Sequence, residues 1–372
     1  MSTSSPSKSP RPSCTDEIPS PALLVFPEHI KANIQLMLEI AGGPDRLRPH
    51  VKTHKMAEVV ALQQAQGIKK FKCATLSEVK MLLSRDVRDL LLAMQPVGPV
   101  LPRFLQLVKG NPDTRFSTIV DNLDTLEVIE SLAKDSETEL GIYLDLNCGM
   151  NRTGIAPGPQ APRLYQRIHQ SKTLRLEGLH VYDGHIRDSD FNDRKKHCRR
   201  DWEGVDALIE KFEESGLPIP NIVAGGSPTF PVHAEKKDVD LSPGTTLLWD
   251  FGYGDAFSDL PFQHAALLLT RVLSKPSGHL VCLDLGHKAV ASEMPHPRVR
   301  LLGLENATFV SQSEEHLVIE TEKAASLSVG DSFLGIPRHI CPTVALHNKV
   351  VVVTEGKITD HWTVTARDRI LD

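Results

Sequence analysis

From Pro21 onward, apolar and polar positions fall into two alternating textures. Short β-branched or leucine-rich runs, each closed by turn residues, give way to longer stretches in which apolar side chains recur every three or four positions. Ala22–Phe26 leads into a helix over Pro27–Ala41, with Ile30, Ile34, Met37, Leu38 and Ala41 on one face. Eight strands are then predicted: Leu47–Val51, Phe71–Thr75, Asp89–Met94, Phe116–Val120, Leu140–Leu146, Leu176–Val181, Ile219–Ala224 and Thr245–Trp249. Helical spacing fills most of the gaps, over Met56–Gln66, Leu76–Ser84, Val100–Lys109, Leu123–Ala133, Ala161–Gln170 and Asp193–Ser215. Eightfold alternation of this kind predicts an α/β fold, a (β/α)8 TIM-type barrel. A doubly wound sheet would carry its glycine fingerprint directly after the first strand, where this chain reads Arg48-Pro49-His50-Val51-Lys52-Thr53-His54-Lys55.

Beyond Gly254 the long helical stretches stop and alternating strands take over. They cover His264–Leu273, His279–Leu285, Thr308–Val310, His316–Ile319, Ser332–Leu334, Val344–Val353 and Thr363–Ala366, and predict a C-terminal all-β domain. The expected division is a disordered Ser- and Pro-rich leader over 1–20, a barrel over 21–254 and a β domain over 255–372. Residues near 20–26 are free to join the β domain.

Composition narrows the function classes. The 372 residues carry a net charge of −5 with Lys and Arg scattered, so there is no nucleic-acid footprint. No apolar run reaches membrane-spanning length, and the N-terminus has neither a secretory nor an organellar presequence pattern. The six cysteines lack paired spacing, which predicts free thiols in a reducing, cytoplasmic setting.

In a barrel, chemistry belongs at the C-terminal ends of the strands. Four segments fall there. Arg48–Lys55 ends the first strand with two lysines and two histidines; a lysine at the tip of an inward strand is partly desolvated, which frees its amine to attack an aldehyde. Asp145–Gly154 follows strand five, and its glycines allow a tight loop from which Arg152 can aim a fork of donors into the mouth. Tyr182 and His185 leave strand six, placed to meet a ring or a substrate. Ala224-Gly225-Gly226-Ser227-Pro228-Thr229 follows strand seven, where barrel phosphate sites commonly lie, with small residues and hydroxyls suited to an anion. In the β domain, Pro337–Thr343 would, if extended, set His339 and Cys341 on one face, a nitrogen and a sulfur suited to zinc.

Taken together, PHVKTHK, DLNCGMNRTGI, GLHVYDGH, GGSPT, LSPGTTLLWDFGYG and PRHICPT resemble, in order, the D-threonine aldolase and D-serine dehydratase family. These are pyridoxal-phosphate enzymes with an alanine-racemase-type (fold type III) barrel. The resemblance runs from about Pro19 to the C-terminus. It implies that Lys52 rather than Lys55 carries pyridoxal 5'-phosphate, with Arg152 beside its phenolic oxygen, Tyr182 near its ring, and Gly226, Ser227 and Thr229 on its phosphate. His339 and Cys341 are implied as ligands of a divalent metal, zinc ahead of manganese or magnesium. The aldolases often have Asp where this chain has Cys341, whereas the dehydratases tend towards Cys. The implied activity is a lyase on D-β-hydroxy amino acids, aldolase-like, with His54 or a water on the metal as base. The alternatives are a D-serine dehydratase, in which Lys52 removes the α-proton, and an amino-acid racemase without a metal; a non-catalytic carrier ranks last, because such carriers lack a β domain. The implied partners are a small D-amino acid and a second copy of the chain, a homodimer in which Lys52 and His339 could meet across the interface.

Overall fold

The computed structural model describes residues 15–369. It divides into two compact units, one of Asn33–Leu247, Gly254–Phe262 and Thr365 onward, the other of the residues up to Ala32, Leu248–Tyr253 and Gln263–Val364. The chain opens with β1 (Ala22–Val25) and α1 (Pro27–Ala41), and continues through α2 (Ala57–Gln64), β2 (Lys70–Cys73), α3 (Leu76–Leu83), β3 (Asp89–Leu92) and α4 (Val100–Lys109). Next come β4 (Arg115–Val120), α5 (Leu123–Asp135), β5 (Leu140–Leu146), α6 (Gln160–His169), β6 (Leu174–Val181), α7 (Phe191–Glu214), β7 (Ile222–Ala224), α8 (Phe230–His233) and β8 (Asp240–Leu241).

Strands β2 to β8 form one parallel sheet in sequence order. The segment 47–51 closes it. Leu47 bridges Leu241 of β8 and His50 bridges Lys72 of β2, both parallel. Arg48 N–H reaches the Leu241 carbonyl at 2.8 Å while Lys72 N–H reaches Pro49 at 2.9 Å, so one stretch of backbone is shared by both edges and the cylinder has no open edge. Pro49 has no N–H to donate, which keeps this eighth position short of a regular strand.

The helices start where side chains can take up free backbone donors. Thr75 caps α3 and Asn122 caps α5, and the Asp190 carboxylate accepts two N–H groups at the start of α7. At the N-terminal ends of the strands the buried Arg48 guanidinium bonds Asp89 at 2.6 Å and Asp240 at 3.1 Å. Asp240 also pairs with Lys70 and accepts from Asn221.

One predicted strand is absent: Thr245–Trp249 is a 3-10 turn over Thr245–Leu247, and the strand lies earlier, at β8. Pro243 and Gly244 end the extended chain, and the apolar run after them is buried all the same. A short buried run looks identical in either conformation.

The second unit is built on α9 (Phe251–Ala256), β9 (Ala266–Ser274), β10 (Leu280–Leu283), β11 (Val299–Leu301), β12 (Thr308–Gln312), β13 (Leu317–Glu320), β14 (Ser332–Pro337), α10 (Ile340–Leu346), β15 (Lys349–Thr354) and β16 (Lys357–Thr363), although the end of α9 groups with the barrel. Its sheet runs β12-β13-β10-β9-β1-β15-β16, with β14 also on β9 and β11 on β14. Leu24, Leu267, Leu269, Leu334, Ile336, Val351 and Val353 form its core. β1 pairs with β9 antiparallel and with β15 parallel, so residues 22–25 do belong to this sheet.

The leader expected over 1–20 falls largely on residues 1–14, outside the described residues. Thr15–Glu17 is a helical turn, and the Arg271 guanidinium bonds the carbonyls of Thr15 and Ile18. The β domain does not keep its expected right-hand boundary, because Thr365 onward returns to the barrel unit: Ala366 N–H bonds the Lys55 carbonyl at 3.1 Å and Ser77 Oγ bonds the Asp368 carbonyl. Pro337–Thr343 is not extended throughout, since α10 begins directly after His339. The strand predicted from Val344 starts at Lys349, and the one predicted over Thr363–Ala366 is β16, ending at Thr363. No helix among the described residues is long and apolar enough to cross a membrane.

Candidate active site

The chemistry-bearing segments gather at the C-terminal ends of the barrel strands. In the turn after 47–51, Lys52 is exposed and its backbone N–H bonds His50 Nδ1 at 3.2 Å. Lys55 is buried; its ammonium pairs with Glu78, whose other oxygen accepts the Ala74 N–H at 2.6 Å. An ammonium held by a buried carboxylate is not a nucleophile, so the geometry leaves Lys52 as the available amine of this motif.

His54 does not present a base. Its ring is fully buried, Nδ1 accepts the Met56 N–H at 3.1 Å, and Nε2 is enclosed with no hydrogen-bond partner. Burial lowers its pKa to about 3. A neutral ring that accepts at Nδ1 carries its proton on Nε2, so no lone pair is left to take one.

The strand that follows supplies a group the sequence reading missed. Lys72, on β2, is 2 % exposed, and its side chain has no hydrogen-bond or salt-bridge partner among the described residues; its Nζ lies 5.6 Å from the centroid of the Tyr182 ring. Burial, with help from the Lys52 charge, lowers its pKa to about 7. The signal was in the alternation, which puts Lys70 and Lys72 on one face of a short barrel strand.

Tyr182 directly follows β6, and Arg152 lies across its ring at 4.9 Å from the centroid. Two glycines admit the ring: a Cβ on Gly184 would sit 2.3 Å from the Tyr182 hydroxyl, and one on Gly226 would sit 3.2 Å from its Cε2. The loop bearing Arg152 is organised by Asn147, whose Oδ1 accepts the N–H groups of Gly149 at 3.1 Å and Asn151 at 3.0 Å.

After β7, Thr229 Oγ1 accepts the Gly226 N–H at 3.0 Å and donates to Asp183 at 2.6 Å, so its hydroxyl is used inside the loop. Asp183 also meets His233 Nε2 at 2.6 Å, and despite its burial the His233 and Thr229 contacts hold its pKa low. Ser227 Oγ accepts the N–H groups of Gly244 at 3.2 Å and Thr245 at 3.0 Å, joining the loops after β7 and β8, and keeps its own proton to donate. Asp183 and His233 carry no mark in the sequence, being fifty positions apart.

In the β unit His339 and Cys341 come together by a different route from the one expected. His339 is the last residue before α10, its side chain hydrogen bonded to that of Cys341, and Nδ1 meets Glu293 Oε1 at 2.5 Å. Burial pulls the His339 pKa down, but Cys341 and Glu293 outweigh it and raise it to about 9. Asp250, 2 % exposed, fixes the approach by accepting the Ile340 N–H at 3.0 Å.

Comparison with known proteins identifies the family. The model of the alanine racemase N-terminal domain matches residues 26–249, and that of a serine dehydratase domain matches 265–353. A D-threonine aldolase of Arthrobacter sp is 27% identical over 357 residues, covering 94% of this chain and 93% of its own. A D-serine dehydratase of Dictyostelium discoideum is 22% identical, covering 92% of this chain and 97% of its own. The crystal structure of D-threonine aldolase from Filomicrobium marinum superposes with a TM-score of 0.86 at 25% identity, covering 96% of this chain and 97% of that one. The chain belongs to the alanine racemase N-terminal domain family of fold type III pyridoxal-phosphate enzymes, in its aldolase and dehydratase branch of lyases.

Proposed function

We propose that the protein is a cytoplasmic, homodimeric lyase, dependent on pyridoxal phosphate and a divalent metal, that cleaves D-β-hydroxy amino acids to glycine and an aldehyde in the manner of D-threonine aldolase. One observation carries the reading: in a motif collinear with that enzyme, Lys52 is the free amine of its two lysines while Lys55 is bound to Glu78.

The residues present suit both groups. An anionic, flat aldehyde needs an amine, a ring to lie against, small residues beside its phosphate and nearby positive charge. Lys52, Tyr182, Gly226 with Ser227, and Arg152 supply these in turn. Thr229 braces the phosphate loop rather than donating to it. An imidazole and a thiol turned to each other, with Glu293 on the imidazole's Nδ1, suit zinc; manganese and magnesium favour oxygen donors and fit the thiol less well.

When bound, the pyridoxal group supplies an electron sink for bond breaking at Cα, and the cation a Lewis acid for the β-hydroxyl. The chain's own residues hold, orient and move protons. Lys52 holds the aldehyde between turnovers and takes up or returns a proton at the substrate Cα. His339 and Cys341 hold the cation. Tyr182, pinned between Gly184 and Gly226, fixes the plane of the bound ring, and with it which bond at Cα is weakened. Lys72, its proton loosely held, is the amine we assign to accept the hydroxyl proton, in place of His54.

D-serine dehydratase is the second reading, favoured by the thiol at Cys341. Incubation with D-threonine and with D-serine, each with and without chelator, separates them. The first reading predicts glycine and acetaldehyde from D-threonine, lost with chelator. Pyruvate from D-serine would replace it with the second, and turnover of neither would contradict both.

A further inference from the structure

Among the described residues the barrel unit holds two clusters of metal-ligating side chains: buried Asp183, Cys198 and His233, whose Asp183 is already bonded by Thr229 and His233, and a half-buried one beside it. His185 is in the loop after β6, and His197 and Asp201 are four residues apart on α7, thus on one helix face. All three are half-buried, and one ligand atom from each lies within 4.8 Å of the others. His185 Nε2 is 2.7 Å and His197 Nε2 3.3 Å from the same oxygen, Asp201 Oδ2.

We propose that His185, His197 and Asp201 bind a zinc-type divalent cation, at a second site distinct from His339 and Cys341. Four observations support it. Ligand atoms around a tetrahedral zinc stand ~3.3 Å apart, as His197 and Asp201 already do, and His185 stands about half an ångström inside that spacing from the same oxygen. His197 Nδ1 meets Asp188 Oδ2 at 2.7 Å, the carboxylate behind an imidazole that orients a ligating histidine. A carboxylate oxygen faces each nitrogen of the His197 ring, an arrangement that a cation between the ring and Asp201 would balance. Arg200 Nε takes the other Asp201 oxygen at 3.1 Å and leaves Oδ2 facing the two rings.

The position has a consequence for the mouth. A Cβ on Gly149 would sit 2.7 Å from His185 Nε2 and 3.0 Å from Asp201 Oδ2, so the loop carrying Arg152 passes directly over the cluster. The loop after β6 begins at Tyr182. A cation here ties that loop to α7 beneath the Arg152 loop. Two imidazoles and one carboxylate leave room for water, without thiolate.

The test counts metal on the whole chain. Holoenzyme is stripped with chelator, dialysed against zinc, and assayed by mass spectrometry as wild type, Cys341→Ala, His197→Gln and the double variant. The proposal predicts two, one, one and no equivalents per chain. Cobalt separates the sites: in Cys341→Ala it should give ligand-field bands without a sulfur charge-transfer band, and these should vanish in the double variant. Zinc should raise the Tm of Cys341→Ala and leave the double variant unmoved, which guards against a misfolded variant. Metal lost in His197→Gln but not in Cys341→Ala would support this site and contradict the one at His339. An unchanged count in His197→Gln, with native circular dichroism, would overturn the proposal and leave a histidine–carboxylate hydrogen-bond network.

Discussion

Lys72 stands beside Tyr182 without a salt bridge, the Asp145 and Asp183 carboxylates offsetting only part of its burial, and the energetic cost of that arrangement follows from its pKa. The folded value, about 7, lies below the unfolded value of 10.5. Below pH 7 both states are protonated, and the folded state bears the whole cost of a desolvated charge. Between pH 7 and 10.5 the unfolded chain binds the extra proton, so stability rises with pH across that window. Lys72→Met removes the cost: the Tm of the cofactor-free variant should exceed wild type by several degrees at pH 6, a gain shrinking towards pH 10. A gain independent of pH would contradict this. At this scale the sequence showed residue types but not their partners. Lys52 and Lys55 look alike in PHVKTHK; Glu78, which separates them, is contributed by α3, beyond the following helix and strand. His54 looks like a base until its burial and the Met56 N–H are known. Lys72 went unread because one lysine on a four-residue strand is usually a solvated one.

Among elements, the stretch 47–51 does two jobs. Its backbone joins β2 to β8, and Arg48 within it pairs with Asp89 at the start of β3 and Asp240 at the start of β8. Position at the N-terminal rim makes this pairing structural rather than catalytic. Arg48→Met should therefore cost about 3 kcal/mol, the lower end for stripping a buried pair, because Lys70 and Asn221 still hold Asp240. Denaturant titration should show the midpoint fall with the slope unchanged; a loss under about 1 kcal/mol would contradict the assignment. Long helices were legible, since α1 and α4 start and stop where their apolar spacing does. Short buried runs were not. Thr245–Trp249 is as apolar as a strand, and only Pro243-Gly244 ahead of it hints at a turn. His339 and Cys341 meet across the start of α10 rather than by the strand alternation expected.

At the scale of the molecule, the (β/α)8 barrel and the C-terminal β domain were both visible in the change of texture near Gly254. Which segments belong to which was less so. β1 lies in the β sheet through hydrogen bonds to strands more than two hundred residues away, and the residues from Thr365 return to the barrel through Lys55 and Ser77. Neither pairing leaves a local trace, because register across such distances is set by partners and not by periodicity.

The account rests on Lys52 as the amine that holds the cofactor. Borohydride reduction of the yellow holoenzyme, followed by peptide mapping, tests this most directly. It should place the pyridoxyl label on Lys52 alone; a label on Lys55 or Lys72, or none on a protein that stays colourless with added pyridoxal phosphate, would contradict it.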